Sequence, residues 1–426
     1  METPLRGSGP LWFLDPVGNT VETARHDAFR WSAGARAWQV PLLAGAALLA
    51  VSVLGGLTTN APRFLSAYLI GWMFCVAIAL GALFFVMVHH LVRAHWMVVV
   101  RRIAEVIAAS FPLLALMGLP ILLSVIGYHE NPFHHWVHPH EGDALVEAKK
   151  VFLNVPVFVL LYFVYFGIWS LLGTKLYRLS LQQDAHPEEN IPARQRWWSA
   201  LGVPLFAVST AFVAFHFLMS VDPHWFSTIF GIYYFAGAYW TFFAFLVFTL
   251  AWMRRTTALD EFVSKNHYLD LGRWMLGFTV FWAYIAFSQY MLIWYGNLKE
   301  ETIWYTHRIE HGWQYHALAL LFLHFMVPFV ALLFQGPKKN PKWLAFWAVW
   351  FFVMQWFDLH FLVMPVHTTD VLKAGGHAST LSWMDVTTWL GLFLLFAAGV
   401  YWRLARHPLV PQNDPRLGAS VQHGHL

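Results

Sequence analysis

Residues 64–88 read FLSAYLIGWMFCVAIALGALFFVMV, twenty-five residues without one Asp, Glu, Lys or Arg. A run this long and apolar is what the hydrocarbon core of a bilayer, about 30 Å thick, demands of a helix. It lacks the alternation of a membrane barrel strand. Nine similar runs flank it. One precedes it, Val40–Leu57, and the next three are Val106–Ile126, Val151–Leu172 and Ala200–Met219. The remaining five are Phe226–Met253, Trp274–Trp294, Tyr315–Phe334, Trp343–Met364 and Thr387–Trp402, the last able to extend back to Trp383. The sequence therefore predicts an all-α integral membrane protein with ten transmembrane helices.

Composition agrees. Of 426 residues, 58% are hydrophobic and 12% charged, whereas a soluble domain carries about 25% charged residues. So little charge could not cover a surface in water, which excludes a soluble enzyme, a disordered protein and a nucleic-acid binder. Of the 27 Lys and Arg, 21 fall in the N-terminal segment, in the loops after even-numbered runs and in the tail. The positive-inside rule then places both termini in the cytoplasm. Residues 1–37 are polar and lack an apolar core, so no cleavable signal peptide is expected.

Cys75 is the single cysteine. One thiol makes no intramolecular disulfide and holds no iron–sulfur cluster, which needs about four. No CxxCH is present to attach a c-type haem. Redox chemistry would therefore need a diffusible cofactor or a partner subunit.

A weak internal repeat is visible. Val155–Leu161 reads VPVFVLL and Val327–Leu333 reads VPFVALL, and the following runs carry Asp222 and Asp358 toward their outer ends. Runs two to five and six to nine would then be two four-helix bundles of parallel orientation, with runs one and ten flanking them. The chain divides accordingly into 1–37, a cytoplasmic segment; 38–221, runs one to five; 222–366, runs six to nine; and 367–426, run ten and a cytoplasmic tail.

Asp358 is the only ionisable Asp, Glu, Lys or Arg inside the ten runs, about 22 Å along the ninth. Gln355 shares its face. A carboxyl at that depth costs roughly 2.5–3.5 kcal/mol and marks a proton or ligand path, or a structural acid bonded to a helix end. His216 lies in run five on a stripe with Ser209 and Ser220 that leads to Asp222. Such a stripe can pass protons or join helices by hydrogen bonds. His324 in run eight could extend a relay from Asp358. Glu105 sits at the cytoplasmic end of run three, four residues from Arg101, as a helical ion pair or a proton entrance. Tyr284, Ser288 and Tyr295 on run seven, with Tyr234 on run six, could contact a quinone head or simply pack.

Metal readings are weaker. His307–His311 fits HxxEH without a third ligand, and His129, His134, His135, His138 and His140 crowd a proline-broken loop. His216, His316, His324 and His360 could in principle ligate haem. The sequence predicts no haem, iron–sulfur cluster or structural metal on this chain.

Two strings are distinctive. Phe215–Gly231 reads FHFLMSVDPHWFSTIFG, and Thr279–Tyr305 reads TVFWAYIAFSQYMLIWYGNLKEETIWY. With the ten-run layout, they resemble the NrfD/polysulfide-reductase type of membrane subunit, most closely the smaller such subunit of bacterial alternative complex III. The resemblance implies the two-bundle arrangement and a place in the bacterial cytoplasmic membrane. It implies a membrane arm of a quinol:cytochrome c (or high-potential iron–sulfur protein) oxidoreductase, in which quinone binds and protons move. The implied partners are lipids, a larger NrfD-like subunit, and extracytoplasmic iron–sulfur and multihaem cytochrome subunits. Those last two would carry the iron–sulfur clusters and haem c. No residue set here matches a quinol site one by one. A structural anchor for such subunits and a secondary transporter are the competing readings.

Overall fold

The computed structural model describes residues 31, 36–254, 257 and 259–423. The segment expected over 1–37, apart from 31, 36 and 37, lies outside the described residues, as does Arg255. The chain is 78% helix with no strand among the described residues. Ten of its helices are long and apolar enough to cross a membrane. They are α1 (Gln39–Thr58), α2 (Ala61–Leu91), α3 (Val98–Gly127), α4 (Val155–Ala185) and α5 (Ile191–Val221). The others are α6 (Phe230–Met253), α7 (Lys265–Gly296), α8 (Trp313–Leu333), α9 (Pro341–Lys373) and α10 (Trp383–Leu404). The protein is thus a multi-pass membrane protein by helix length and composition.

Several starts are set by asparagine followed by proline. Asn60, Asn154 and Asn340 each accept a backbone N–H of the first turn, with Pro62, Pro156 and Pro341 in that turn. The side chain satisfies an orphan donor, and proline supplies a helical φ where its missing N–H costs nothing. At α10, Ser382 and Asp385 form a capping box, so the helix begins at Trp383.

The most apolar window of α2 is 94% buried, against 22% for α1. The central helices are α2, α6 and α9, with α2 packed against α5, α6, α9 and α10. Within α2–α5 each helix touches the next and α5 returns to α2; α6–α9 behave likewise, and α1 lies on α10. Small residues set the closest crossings. A Cβ on Gly81 would stand 2.4 Å from Phe242 of α6, and one on Gly173 would stand 2.1 Å from the Ala108 carbonyl of α3. Backbones approach this closely in membranes because dispersion, not water exclusion, holds the helices together.

The structure corrects three expectations. Helices α3, α4, α5 and α7 extend well beyond the apolar runs, through turns whose charged residues find partners. Asp358, alone within the runs, therefore has company within the longer helices: Arg63 at the start of α2, Arg101, Arg102 and Glu105 at the start of α3, and Asp385 at the start of α10 also lie buried. The two Val-Pro pairs are not equivalent either. Val155 is the first residue of α4, whereas Val327 lies past the middle of α8. Nor do the two aspartates correspond, since Asp222 follows the end of α5 while Asp358 is deep within α9.

Candidate functional site

Asp358 is 1% exposed and accepts two hydrogen bonds. The Tyr233 hydroxyl of α6 donates to Oδ1, and the Trp282 indole N–H of α7 donates to Oδ2 at 3.3 Å. Gln355, three residues earlier, faces the same helix. It packs on Gly237, where a Cβ would stand 2.6 Å from its Oε1. Tyr233 and Gly237 on α6 thus oppose Asp358 and Gln355 on α9, each pair one helical turn apart.

Trp282 connects this carboxyl to His324. The imidazole stacks on Trp282 with ring centroids 3.8 Å apart and on Trp240 at 4.2 Å. Trp240 in turn donates to the Thr279 hydroxyl at 2.8 Å. His324 is fully buried, and neither ring nitrogen has a partner among the described residues. It occupies a π-helical stretch, Leu320–Met326. The local cause is Pro328, which has no N–H to donate to the His324 carbonyl four residues earlier. The preceding turn widens, and Val327 N–H reaches back five residues to the Phe322 carbonyl. π-Turns of this kind cluster at functional positions.

A second proline shapes the far end of α9. Pro365 leaves the Phe361 carbonyl without its helical donor. Buried Arg308 replaces it, with Nε 3.2 Å from the Phe361 carbonyl and Nη2 2.6 Å from that of Leu362. Its third nitrogen, Nη1, donates to the Trp304 carbonyl at 2.9 Å, and the guanidinium lies 3.5 Å from the Trp304 ring centroid. His307 and His311 therefore flank a structural arginine within the HxxEH string. Nearby, Ser227 donates to Gln289 at 3.0 Å and Gln289 to the Tyr305 hydroxyl at 3.3 Å, a polar chain on the Tyr233 side of the site.

The other sequence-predicted residues lie apart from Asp358 or turn away from it. His216 faces α4: its Nδ1 pairs with the Tyr165 hydroxyl at 2.8 Å, and its ring stacks on Phe152 at 4.0 Å. Ser209 accepts from Trp169 at 2.8 Å, and Ser220 donates to the His216 carbonyl. This stripe joins α4 to α5. Asp222 is half-buried in the loop beyond it. The four quinone-contact candidates share no surface. Tyr284 and Tyr295 are exposed, Ser288 is half-buried, and buried Tyr234 donates to the Met73 carbonyl at 2.8 Å. On α7 the inward stripe is instead Thr279, Trp282 and Gln289. Its seven-residue step from Trp282 to Gln289 was the available signal, obscured by the hydroxyls on the opposite face.

Glu105 lies within a buried ion network. Arg101 Nε is 2.8 Å and Arg102 Nε 3.2 Å from its two oxygens. Arg101 also reaches Asp414 of the tail at 2.6 Å, and Arg102 reaches Asp184 of α4 at 2.5 Å. Asp184 additionally accepts the Gln412 backbone N–H at 2.9 Å. A carboxylate held by two guanidiniums is poorly suited to releasing and taking up protons, so the geometry favours the ion-pair reading of Glu105.

The tail is strapped down by the same ions. Burial alone pushes the Asp414 carboxyl up, but Arg101 and Arg416 hold it well below the usual carboxylate range. A depressed folded value gives stability that is full above about pH 4 and is lost only as pH falls toward that lower value. At neutral pH, Asp414→Asn is therefore expected to speed tryptic cleavage after Arg416 by about tenfold, the scale of one lost charged hydrogen bond. Unchanged cleavage would show that the strap does not hold the tail.

No family model matches the chain, and no curated protein matches it.

Proposed function

We propose that this chain is the smaller NrfD-like membrane subunit of a bacterial alternative complex III, a quinol:cytochrome c (or high-potential iron–sulfur protein) oxidoreductase. It lies in the cytoplasmic membrane with both termini cytoplasmic, and α2–α5 and α6–α9 act as two four-helix bundles. Its contribution is to move protons, while haem c and iron–sulfur clusters reside on extracytoplasmic partners. One observation carries the reading: a buried carboxyl, Asp358, is held by Tyr233 and Trp282 among membrane-crossing helices, and Trp282 stacks on His324. A carboxyl, a phenol and an imidazole in one apolar interior are groups that exchange protons, and intramembrane acids commonly serve proton paths. The composition supports the division of labour, since one Cys supports no cluster of its own.

The ion network at Glu105 favours a structural role for that part of the chain. It fits a subunit that also anchors its partners. Purification from native membranes through a tag on this chain tests the assignment. Haem-bearing and iron–sulfur subunits are expected to co-elute in fixed proportion, with a Soret band in the pool. Elution of the chain without redox partners, from membranes that still oxidise quinol, would remove the proposal.

A further inference from the structure

The loop between α3 and α4 carries a group of side chains that the proton path does not use. His134 and His135 open a short helix, His134–Val137, whose turn is anchored by buried Phe133 and Trp136. Asn131, itself buried, fixes the approach: its side chain donates to the Tyr128 carbonyl at 2.7 Å and accepts the Phe133 N–H at 2.8 Å. Asp370 arrives from the far end of α9. Its Oδ2 lies 3.1 Å from His135 Nε2 and 3.5 Å from His134 Nε2. One donor atom from each residue lies within 4.8 Å of the other two.

We propose that His134, His135 and Asp370 form a three-ligand site for a zinc-type divalent cation, with its remaining position open to an adjoining cavity of about 600 Å³. An ion at about 2.0–2.1 Å from tetrahedral ligands holds them roughly 3.3 Å apart. The two nitrogen–oxygen separations bracket that value. His134 is already oriented for the task. Its Nδ1 lies 3.0 Å from the Asn131 carbonyl, which requires the proton on Nδ1 and leaves Nε2 free to ligate. Two imidazoles and one carboxylate suit a borderline cation, whereas magnesium and calcium prefer oxygen. His134 and Asp370 themselves line the cavity, together with Glu130 and His367, so water or an anionic ligand can reach the fourth position. Pro132 and Pro139 argued against a metal in this loop, and Asp370, 235 residues from His135 in the chain, lay outside it.

The test uses the full-length protein in detergent, stripped with EDTA and dialysed. Titration with zinc is expected to show one tightly held ion per chain. Cobalt should give the intense visible absorption of a four-coordinate site and be displaced by zinc. His135→Ala and Asp370→Asn should each weaken binding by tenfold or more, while His138→Ala leaves it unchanged. The two ligand substitutions lie on separate elements, so misfolding of one, seen as a lowered thermal midpoint without metal, leaves the other to decide. No stoichiometric uptake by the unsubstituted protein overturns the site. So does undiminished uptake in a folded His135→Ala or Asp370→Asn variant, which would mean that zinc binds other histidines.

Discussion

On the function proposed above, Asp358→Asn is expected to leave the redox complex assembled and to slow the proton movement coupled to quinol oxidation, on the order of a hundredfold for the affected step. The substitution keeps the side chain's size. Its oxygen can still accept from Tyr233, so only the bond from Trp282 is lost, facing an amide N–H₂ instead of an oxygen. That loss is worth about 1 kcal/mol, too little to prevent folding. What disappears is the exchangeable proton. Asp358→Leu should impair coupling equally but also leave the Tyr233 and Trp282 donors unpaired, lowering the yield of complex. Native gels and proton release in proteoliposomes separate the two effects. Normal coupling in an assembled Asp358→Asn complex would reduce Asp358 to a structural acid.

The second large effect is expected at Asp385. Arg63 of α2 meets it with two parallel bonds, Nε to Oδ1 at 3.0 Å and Nη2 to Oδ2 at 2.6 Å. Nη1 of Arg63 donates to the Ser379 carbonyl at 2.8 Å, and His360 of α9 lies 3.3 Å from the same carboxylate. Asp385→Ala strands a guanidinium that is 7% exposed. Breaking a buried pair from one side costs about 3–5 kcal/mol. The Asp385 half of the α10 capping box, its acceptance of the Ser382 backbone N–H at 2.9 Å, is lost as well, which adds about 1 kcal/mol. Thermal unfolding in detergent should show a clear fall in midpoint. The double substitution Arg63→Met with Asp385→Leu should recover part of the loss, because no charge is then left unpaired. An unshifted midpoint in Asp385→Ala would mean that the pair contributes nothing.

The ten helices were legible because a bilayer imposes a minimum apolar length on every crossing. Their ends were not, because turns beyond the hydrocarbon obey no such rule and helices such as α4 and α7 continue through charged residues. Asp358 was legible as an isolated acid, and Gln355 as its neighbour by helical spacing. Tyr233 and Trp282 were not, since they lie 125 and 76 residues from Asp358 and an aromatic residue is unremarkable in these runs. His324 was selected, but its place between two indoles depends on a π-turn produced by Pro328. Nothing in the sequence joined Arg63 to Asp385, because 322 residues separate them in the chain.

The strap at Asp414 also has a consequence for biogenesis. A ribosome delivers Arg101 to the membrane with Glu105 and, soon after, supplies Asp184 for Arg102. Asp414 emerges 313 residues after Arg101. Until then one guanidinium face of α3 awaits its anion, and the segment that closes it is made after all ten crossings. The fold is therefore sealed from its late-translated end, and a nascent chain stopped before residue 414 carries an open basic notch between α3 and α4.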